Sequence, residues 1–209
     1  MITDRLLRNF EYLRISVTDK CNYRCSYCMP KDIFDKKHQF LRKGELLSYE
    51  EIIEIVKTLR GYGLKKIRLT GGEPLLRKNL ELLVEGLKKD AHINEVTLTT
   101  NGSLLDMDKI KILKKHGLDK ITISLDSLSK KSSDSINPIN NDVSKVMQSI
   151  ENTLAVYGTL KINMVVIKNV NSHEIIKMVN KFIEKNIELR FIEYMDVGES
   201  NNWDKDKVI

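Results

Sequence analysis

Residues 13–28 read LRISVTDKCNYRCSYC. The first part alternates. Leu13, Ile15 and Val17 share one phase, and Arg14, Ser16 and Thr18 share the other, the period-two signature of a strand with one apolar face. The second part places Cys21, Cys25 and Cys28 in a C-x3-C-x2-C spacing directly after that strand. In parallel αβ architectures the segments that follow the strands carry the chemistry. The fold therefore turns on whether the strand-plus-loop unit recurs.

It does. β-branched runs near 11–18, 65–70, 94–100, 119–125, 159–167 and 188–194 predict six strands. Stretches of helical period near 48–62, 77–89, 106–116, 142–157 and 171–186 predict five helices. Ser48 followed by Glu51 reads as a capping box. Gly61, Gly63, Gly117 and Gly158 stop three helices just before the next strand. Long loops are expected at 29–47 and at 127–141, and loops of that length are usually functional. No composition break marks a second domain, so residues 1–209 are expected to form one.

Six βα repeats imply parallel strands joined by right-handed crossovers, in a partial barrel or a doubly wound sheet. The strand phases choose between them. A doubly wound sheet is apolar on both faces. Here Ile67 and Leu69 oppose Lys66, Arg68 and Thr70. Val96 and Leu98 oppose Thr97, Thr99 and Asn101. Ile121, Ile123 and Leu125 oppose Thr122, Ser124 and Asp126. Leu160, Ile162, Met164 and Val166 oppose Lys161 and Asn163. One face is polar throughout, which predicts an α/β fold of the incomplete (β/α)6 TIM-type barrel class with a wet interior. Gly71, Gly72, Glu73 and Pro74 follow the second strand, Asn101 and Gly102 the third, Asp126 and Ser127 the fourth, and Asp196 to Gly198 the sixth. These segments are expected to meet on one face with the cysteines.

Composition narrows the function. Of 209 residues 41% are hydrophobic and 31% charged, which excludes a disordered chain or a bare coiled coil. No apolar run approaches the roughly 20 residues of a membrane helix, and residues 1–9 lack the apolar core of a signal peptide. A cytoplasmic chain that begins at its own N-terminus is expected. The net charge is +6, with 9 Arg against 26 Lys. Most Lys (Lys57, Lys88, Lys111 and Lys181 among them) fall on helix faces and read as solvated surface. No Arg-rich run is interleaved with aromatics, so neither nucleic acid nor membrane is an expected partner.

Four cations share the polar strand phase: Arg14, Arg68, Lys161 and Arg190. They are either paired internally, with Asp126 and Glu188 as partners, or openly hydrated, or they face a polyanion such as a phosphate chain. Arginine suits bidentate phosphate contacts, and three of the 9 Arg lie here. The cysteines point to metal or redox chemistry rather than to disulfides, because three in one cluster without a secretory signal make no disulfide framework. Zinc would want a fourth ligand, for which His38 is nearest. Three thiolates suit a [4Fe–4S] cluster with one open iron, which could chelate S-adenosylmethionine and pass it an electron. His38, His92, His116 and His173 are otherwise expected on the surface or in loops.

C-x3-C-x2-C with Tyr27 before the last cysteine, together with the Gly-Gly-Glu-Pro run after the second strand, resembles the radical S-adenosylmethionine superfamily. Leu13 to Asp19 leading into the cysteines, Met29-Pro30, Thr99-Thr100-Asn101-Gly102, Ser124-Leu125-Asp126 and Phe191 to Gly198 resemble more narrowly its GTP 3′,8-cyclase family of molybdenum cofactor biosynthesis. That resemblance runs over essentially the whole chain. It implies a radical SAM core domain with Cys21, Cys25 and Cys28 as catalytic ligands of one [4Fe–4S] cluster. It implies that Tyr27, Gly72, Ser124 and Met195 contact S-adenosylmethionine, and that Arg14, Arg68, Thr99, Lys161 and Arg190 contact GTP. The implied reaction is reductive cleavage of S-adenosylmethionine to a 5′-deoxyadenosyl radical, which takes the ribose 3′ hydrogen of GTP and leads to 3′,8-cyclo-7,8-dihydro-GTP.

The implied partners are GTP, a reductant or electron-donor protein and a downstream protein that makes cyclic pyranopterin monophosphate; a homodimer is counted with them. Members of that family continue past the position of Ile209 with a second cluster on further cysteines. The chain lacks that C-terminal region, so it is expected to be a truncated lyase of incomplete activity, with exposed surface and a tendency to self-associate. The alternatives are another radical SAM enzyme, acting on a peptide or a different nucleotide, and a catalytically dead metal-binding domain.

Overall fold

The computed structural model describes residues 2–198 and 201–209. Six strands are present: β1 Tyr12–Ser16, β2 Lys66–Thr70, β3 Glu95–Thr100, β4 Lys120–Ser124, β5 Leu160–Val166 and β6 Ile187–Glu193. They form one sheet in sequence order, β1-β2-β3-β4-β5-β6, with β1 and β6 at its edges. The described registers are parallel. This is the topology of an incomplete (β/α)6 barrel, as the strand phases predicted. Among the described residues no helix is long and apolar enough to cross a membrane.

The helices are α1 Tyr49–Arg60, α2 Leu80–Lys89, α3 Met107–Lys115, α4 Lys130–Ile136, α5 Val143–Tyr157 and α6 Ile175–Phe182. The capping box at α1 forms as expected: the Glu51 amide donates to Ser48 Oγ at 3.1 Å and the Ser48 amide donates to Glu51 Oε2 at 2.6 Å. Gly158 ends α5 in the left-handed region, φ 73°.

Three expectations are corrected. Residues 127–141 are not all loop, since α4 lies within them. Its sequence, KKSSDSI, has too little apolar periodicity to announce a helix. Its N-terminus is capped by Ser129, whose Oγ accepts from the Ser132 amide, and its one large apolar residue, Ile136, is buried against Ile167 and Tyr194. Helix 77–89 begins only at Leu80, because Asn79 is in the left-handed region at φ 59°. Helix 171–186 contracts to 175–182 behind a 3-10 turn over Ser172–Glu174.

The chain divides into two units, residues 1–20, 41–100 and 104–121 in the first and 21–40, 101–103 and 122–209 in the second. In the first, Ile67, Leu69, Val96 and Leu98 on the strands and Val56, Leu83, Val84, Leu87, Ile110 and Leu113 on the helices are wholly buried. A Cβ on Gly86 would come within 2.2 Å of Ile53 Cδ1, so glycine there permits α1 and α2 to pack closely. In the second, Ile123, Ile162 and Met164 are buried with Ile150 and Met178. β2 and β5 alternate buried and half-buried residues as predicted. β3 departs from that rule. Thr97, on the polar phase, is buried, because its hydroxyl donates to Ile67 O at 3.1 Å; Thr100, on the buried phase, donates to Glu73 Oε1 at 2.7 Å.

Candidate active site

In the second unit the cysteine loop follows β1 without regular structure of its own. Its shape comes from hydrogen bonds. The amides of Cys28 and Met29 both donate to Cys25 O, at 3.0 and 2.8 Å, which folds the last two cysteines into one tight turn. The Arg24 guanidinium donates to the carbonyls of Cys21, Tyr23 and Phe34 at 2.8, 2.7 and 2.6 Å and lies 5.5 Å from the centre of the Phe40 ring. Sequence reading gave Arg24 no role, since its partners are carbonyls and leave no pattern. Among the described residues no disulfide joins the cysteines; Cys21 and Cys25 are half-buried and Cys28 is exposed.

Tyr27 ties this loop to the end of β4. Its hydroxyl donates to Asp126 Oδ2 at 2.8 Å, and the Val165 amide donates to Asp126 Oδ1 at 2.8 Å. Burial pushes the Asp126 carboxyl up to about 6, against the downward pull of those two hydrogen bonds. Burial pushes the Cys25 thiol well up, reinforced by the Asp126 charge and by the other two cysteines; Cys28 rises for the first two reasons. Asp126 therefore does not pair with the strand cations, as one sequence expectation held.

Do these residues fit a cluster? Thiols held protonated by burial become thiolates when a metal takes the place of the proton. Among the described residues no three His, Cys, Asp or Glu side chains are gathered closely enough for a single ion. His38 packs against two rings, tilted on Phe34 and edge-on to Phe40, with each ring centre 4.6 Å from its own. The donor set is three sulfurs, one short of the four ligands of a structural zinc, and by its chemistry it suits a multi-iron group with an open position.

The remaining second-unit residues lie on the ends and polar phases of β4, β5 and β6. Ser124 and Asn163 are register partners, as are Asn163 and Arg190, and Lys161 and Glu188. Lys161 Nζ lies 2.7 Å from Glu188 Oε2, and Arg190 Nε donates to Glu188 Oε1 at 2.6 Å. Internal pairing therefore holds for these two cations, which share one carboxylate. The Lys161 ammonium and the Arg190 guanidinium keep Glu188 below the usual carboxylate range. Met195 is exposed, and its carbonyl accepts from Asn201 Nδ2 at 3.1 Å, as does that of Tyr27 at 3.2 Å.

In the first unit, Arg14 and Arg68 are register partners on β1 and β2. Among the described residues no carboxylate pairs with either. The Arg68 guanidinium lies 5.4 Å from the centre of the Tyr12 ring, and its buried Nε has no hydrogen-bond partner. Thr99 Oγ1 is likewise buried without one. Arg14 is exposed and Arg68 half-buried, so two like charges sit on adjacent strands, an arrangement that attracts an anion. The Gly-Gly-Glu-Pro run crosses the chain just before the cysteines. The Gly72 amide donates to Thr18 O at 2.7 Å and the Glu73 amide to Lys20 O at 2.8 Å. A Cβ on Gly72 would sit 2.2 Å from Lys20 O, so only glycine permits that approach. Glu73 is buried, and its Oε1 accepts from Thr100 Oγ1 and, at 3.1 Å, from the Leu75 amide.

The pattern of the Radical SAM superfamily matches residues 15–182. A GTP 3′,8-cyclase of Staphylococcus epidermidis is 47% identical over 209 residues, which is 100% of this chain and 61% of the relative. Those of Staphylococcus haemolyticus and Staphylococcus aureus are 45% and 43% identical with the same coverage. The chain thus spans about three fifths of the length of the curated relatives it matches. Among solved structures, Streptococcus suis SuiB bound to S-adenosylmethionine superposes with a TM-score of 0.75 at 20% identity, covering 96% of this chain and 43% of SuiB. The anSMEcpe structure with bound AdoMet and a peptide gives 0.66 at 21% identity, covering 91% of this chain and 54% of that one, a likeness of fold. The three-cysteine loop, the glycine crossing before it and a family pattern matched over most of the sequence agree: this chain belongs to the radical SAM superfamily.

Proposed function

We propose that the chain is the S-adenosylmethionine-cleaving part of a GTP 3′,8-cyclase. The observation that carries this is identity of 43–47% along the full chain to proteins of that name. In this reading Cys21, Cys25 and Cys28 hold one [4Fe–4S] cluster, Tyr27, Gly72, Ser124 and Met195 contact S-adenosylmethionine, and Arg14, Arg68, Thr99, Lys161 and Arg190 contact GTP. The bound cluster and S-adenosylmethionine supply a one-electron C–S cleavage whose carbon radical takes a ribose hydrogen.

The protein's own part is placement. Arg24 and the Tyr27–Asp126 hydrogen bond hold the cysteine loop through the protein's own groups, the kind of support that positions a ligand set. Glycine at 72 lets its run lie directly against Lys20, the residue before the first cysteine. Arg14 and Arg68 present two charges with no carboxylate partner among the described residues, which supports a polyphosphate. Lys161 and Arg190 offer a third, net of Glu188. An external electron donor is required, and a downstream protein that consumes the product is part of this reading.

The test is anaerobic reconstitution with iron and sulfide, followed by assay of 5′-deoxyadenosine with dithionite and S-adenosylmethionine, with and without GTP. About four irons per chain and GTP-stimulated 5′-deoxyadenosine are expected. One zinc in place of iron would overturn the cluster. Cleavage indifferent to GTP, with Arg68→Ala and Lys161→Ala leaving GTP affinity unchanged, would overturn the nucleotide.

A further inference from the structure

Within the Thr99–Gly102 run, Asn101 has no task in the reading above, yet its side chain is fixed more firmly than its neighbours'. Gly102 turns the chain at φ 76°, and a Cβ there would press on Ile123 Cγ2 at 3.1 Å. Ser149 of α5, buried, donates its hydroxyl to Gly102 O at 2.8 Å and pins the turn. The backbone amide of Ser103 donates to Asn101 Oδ1 at 2.9 Å, and Ser103 Oγ donates to the same oxygen at 2.6 Å. A backbone N–H can only donate, so the atom facing it is the amide oxygen, and the NH2 group must point the other way.

On that other side lie Asn22 Oδ1 at 3.0 Å and Cys21 Sγ at 3.9 Å. Asn22 Nδ2 returns to Ser103 Oγ at 2.8 Å, which closes a ring of three side chains around the first cysteine. The Tyr23 amide donates to the same sulfur at 3.4 Å. Cys21 Sγ therefore receives N–H groups from its own loop and from the turn after β3, 80 residues away in sequence. N–H donors to a cluster sulfur draw charge from it, favour the more negative reduced state and so raise the reduction potential.

We propose that Asn101 is a positioning residue for Cys21: its side-chain NH2 tethers the sulfur to the turn after β3 and makes the cluster easier to reduce. This rests on the assignment of a [4Fe–4S] cluster to the three cysteines. The electron comes from an external one-electron donor, for which dithionite serves in the test, and Asn101 neither gains nor loses a proton.

The full chain is reconstituted anaerobically, and three quantities are measured: iron per chain, thermal melt, and the midpoint of an EPR-monitored reductive titration. Asn101→Leu removes the donor without adding charge. Asn101→Asp keeps an acceptor for the Ser103 amide but sets an oxygen against the sulfur. A more negative midpoint is expected for Asn101→Leu and a still more negative one for Asn101→Asp. Iron loss from an Asn101→Leu protein with the wild-type melt also supports the tether. Wild-type iron and a wild-type midpoint in Asn101→Leu overturn the inference whatever Asn101→Asp does, because added charge alone lowers a potential. If Asn101→Leu does not fold, Asn101→Ser is judged by the same criteria. Failure of the wild-type chain to take up about four irons would remove the cluster and this inference together; wild-type uptake with an unmoved midpoint removes the inference alone.

Discussion

Glu188→Gln should tighten GTP binding. Lys161 and Arg190 both spend their charge on Glu188, with Lys161 Nζ at 2.7 Å and Arg190 Nε at 2.6 Å. The Glu188 side chain is 49% exposed, so solvent screens both pairs. Exposed pairs of this kind are worth about 0.2–1 kcal/mol each. A polyphosphate that takes over the two cations must give up most of that, and it must also approach a carboxylate of its own sign. Glutamine keeps the shape and an acceptor oxygen but removes the charge. The released pairing amounts to about 1 kcal/mol, hence a roughly fivefold lower Kd, since 1.4 kcal/mol is tenfold. Titration calorimetry with GTP at low and at high salt measures it. The gain should shrink as salt rises, and guanosine, which lacks phosphates, should gain nothing. An unchanged or weakened GTP affinity at low salt would refute the idea that Lys161 and Arg190 serve the phosphates.

Three further outcomes are expected. Gly72→Ala forces a Cβ to within 2.2 Å of Lys20 O, so the backbone must move; S-adenosylmethionine affinity measured by equilibrium binding should fall at least about tenfold, the equivalent of roughly 1.4 kcal/mol. Arg68→Ala removes a guanidinium whose buried Nε has no partner, so it should leave the melting temperature unchanged or higher while GTP binding weakens. Burial alone would raise the Glu174 carboxyl, but hydrogen bonds from Ser129, Ser127 and Leu128 prevail and hold it at about 2. That folded value is below the unfolded one, so its contribution is complete above about pH 4.5 and is lost as pH falls toward about 2. Glu174→Gln should flatten the acid limb of the stability curve and cost about 1–3 kcal/mol at neutral pH by denaturant titration.

The regular part of the fold was legible because it repeats. Leu160 to Met164 alternate so that burial follows the letters, and Ser48 with Glu51 announces a cap that forms as written. α4 was hidden, since it is held by what surrounds it: Glu174 gathers the amides of Leu128 and Ser129 from 46 and 45 residues away. The cysteine spacing pointed to the superfamily whose pattern matches residues 15–182. The supports of the cysteine loop did not declare themselves. Tyr27 finds Asp126 across 99 residues and Asn101 finds Cys21 across 80. Such pairs obey no period, and a lone Asn-Gly reads only as a turn. The four strand cations were found by phase, but phase could not say that two of them would share Glu188 while Arg14 and Arg68 would not be paired.

The strand order bears on how the protein is made. Because the sheet follows the sequence, each strand after the first lies beside the one that came before it. A chain emerging from the ribosome can therefore lay down its sheet one βα unit at a time, each new strand pairing with the one made before it. The growing edge is always the newest strand. Mutations near β1 should then slow every later step, whereas those in β6 should act chiefly on how fast the finished sheet comes apart.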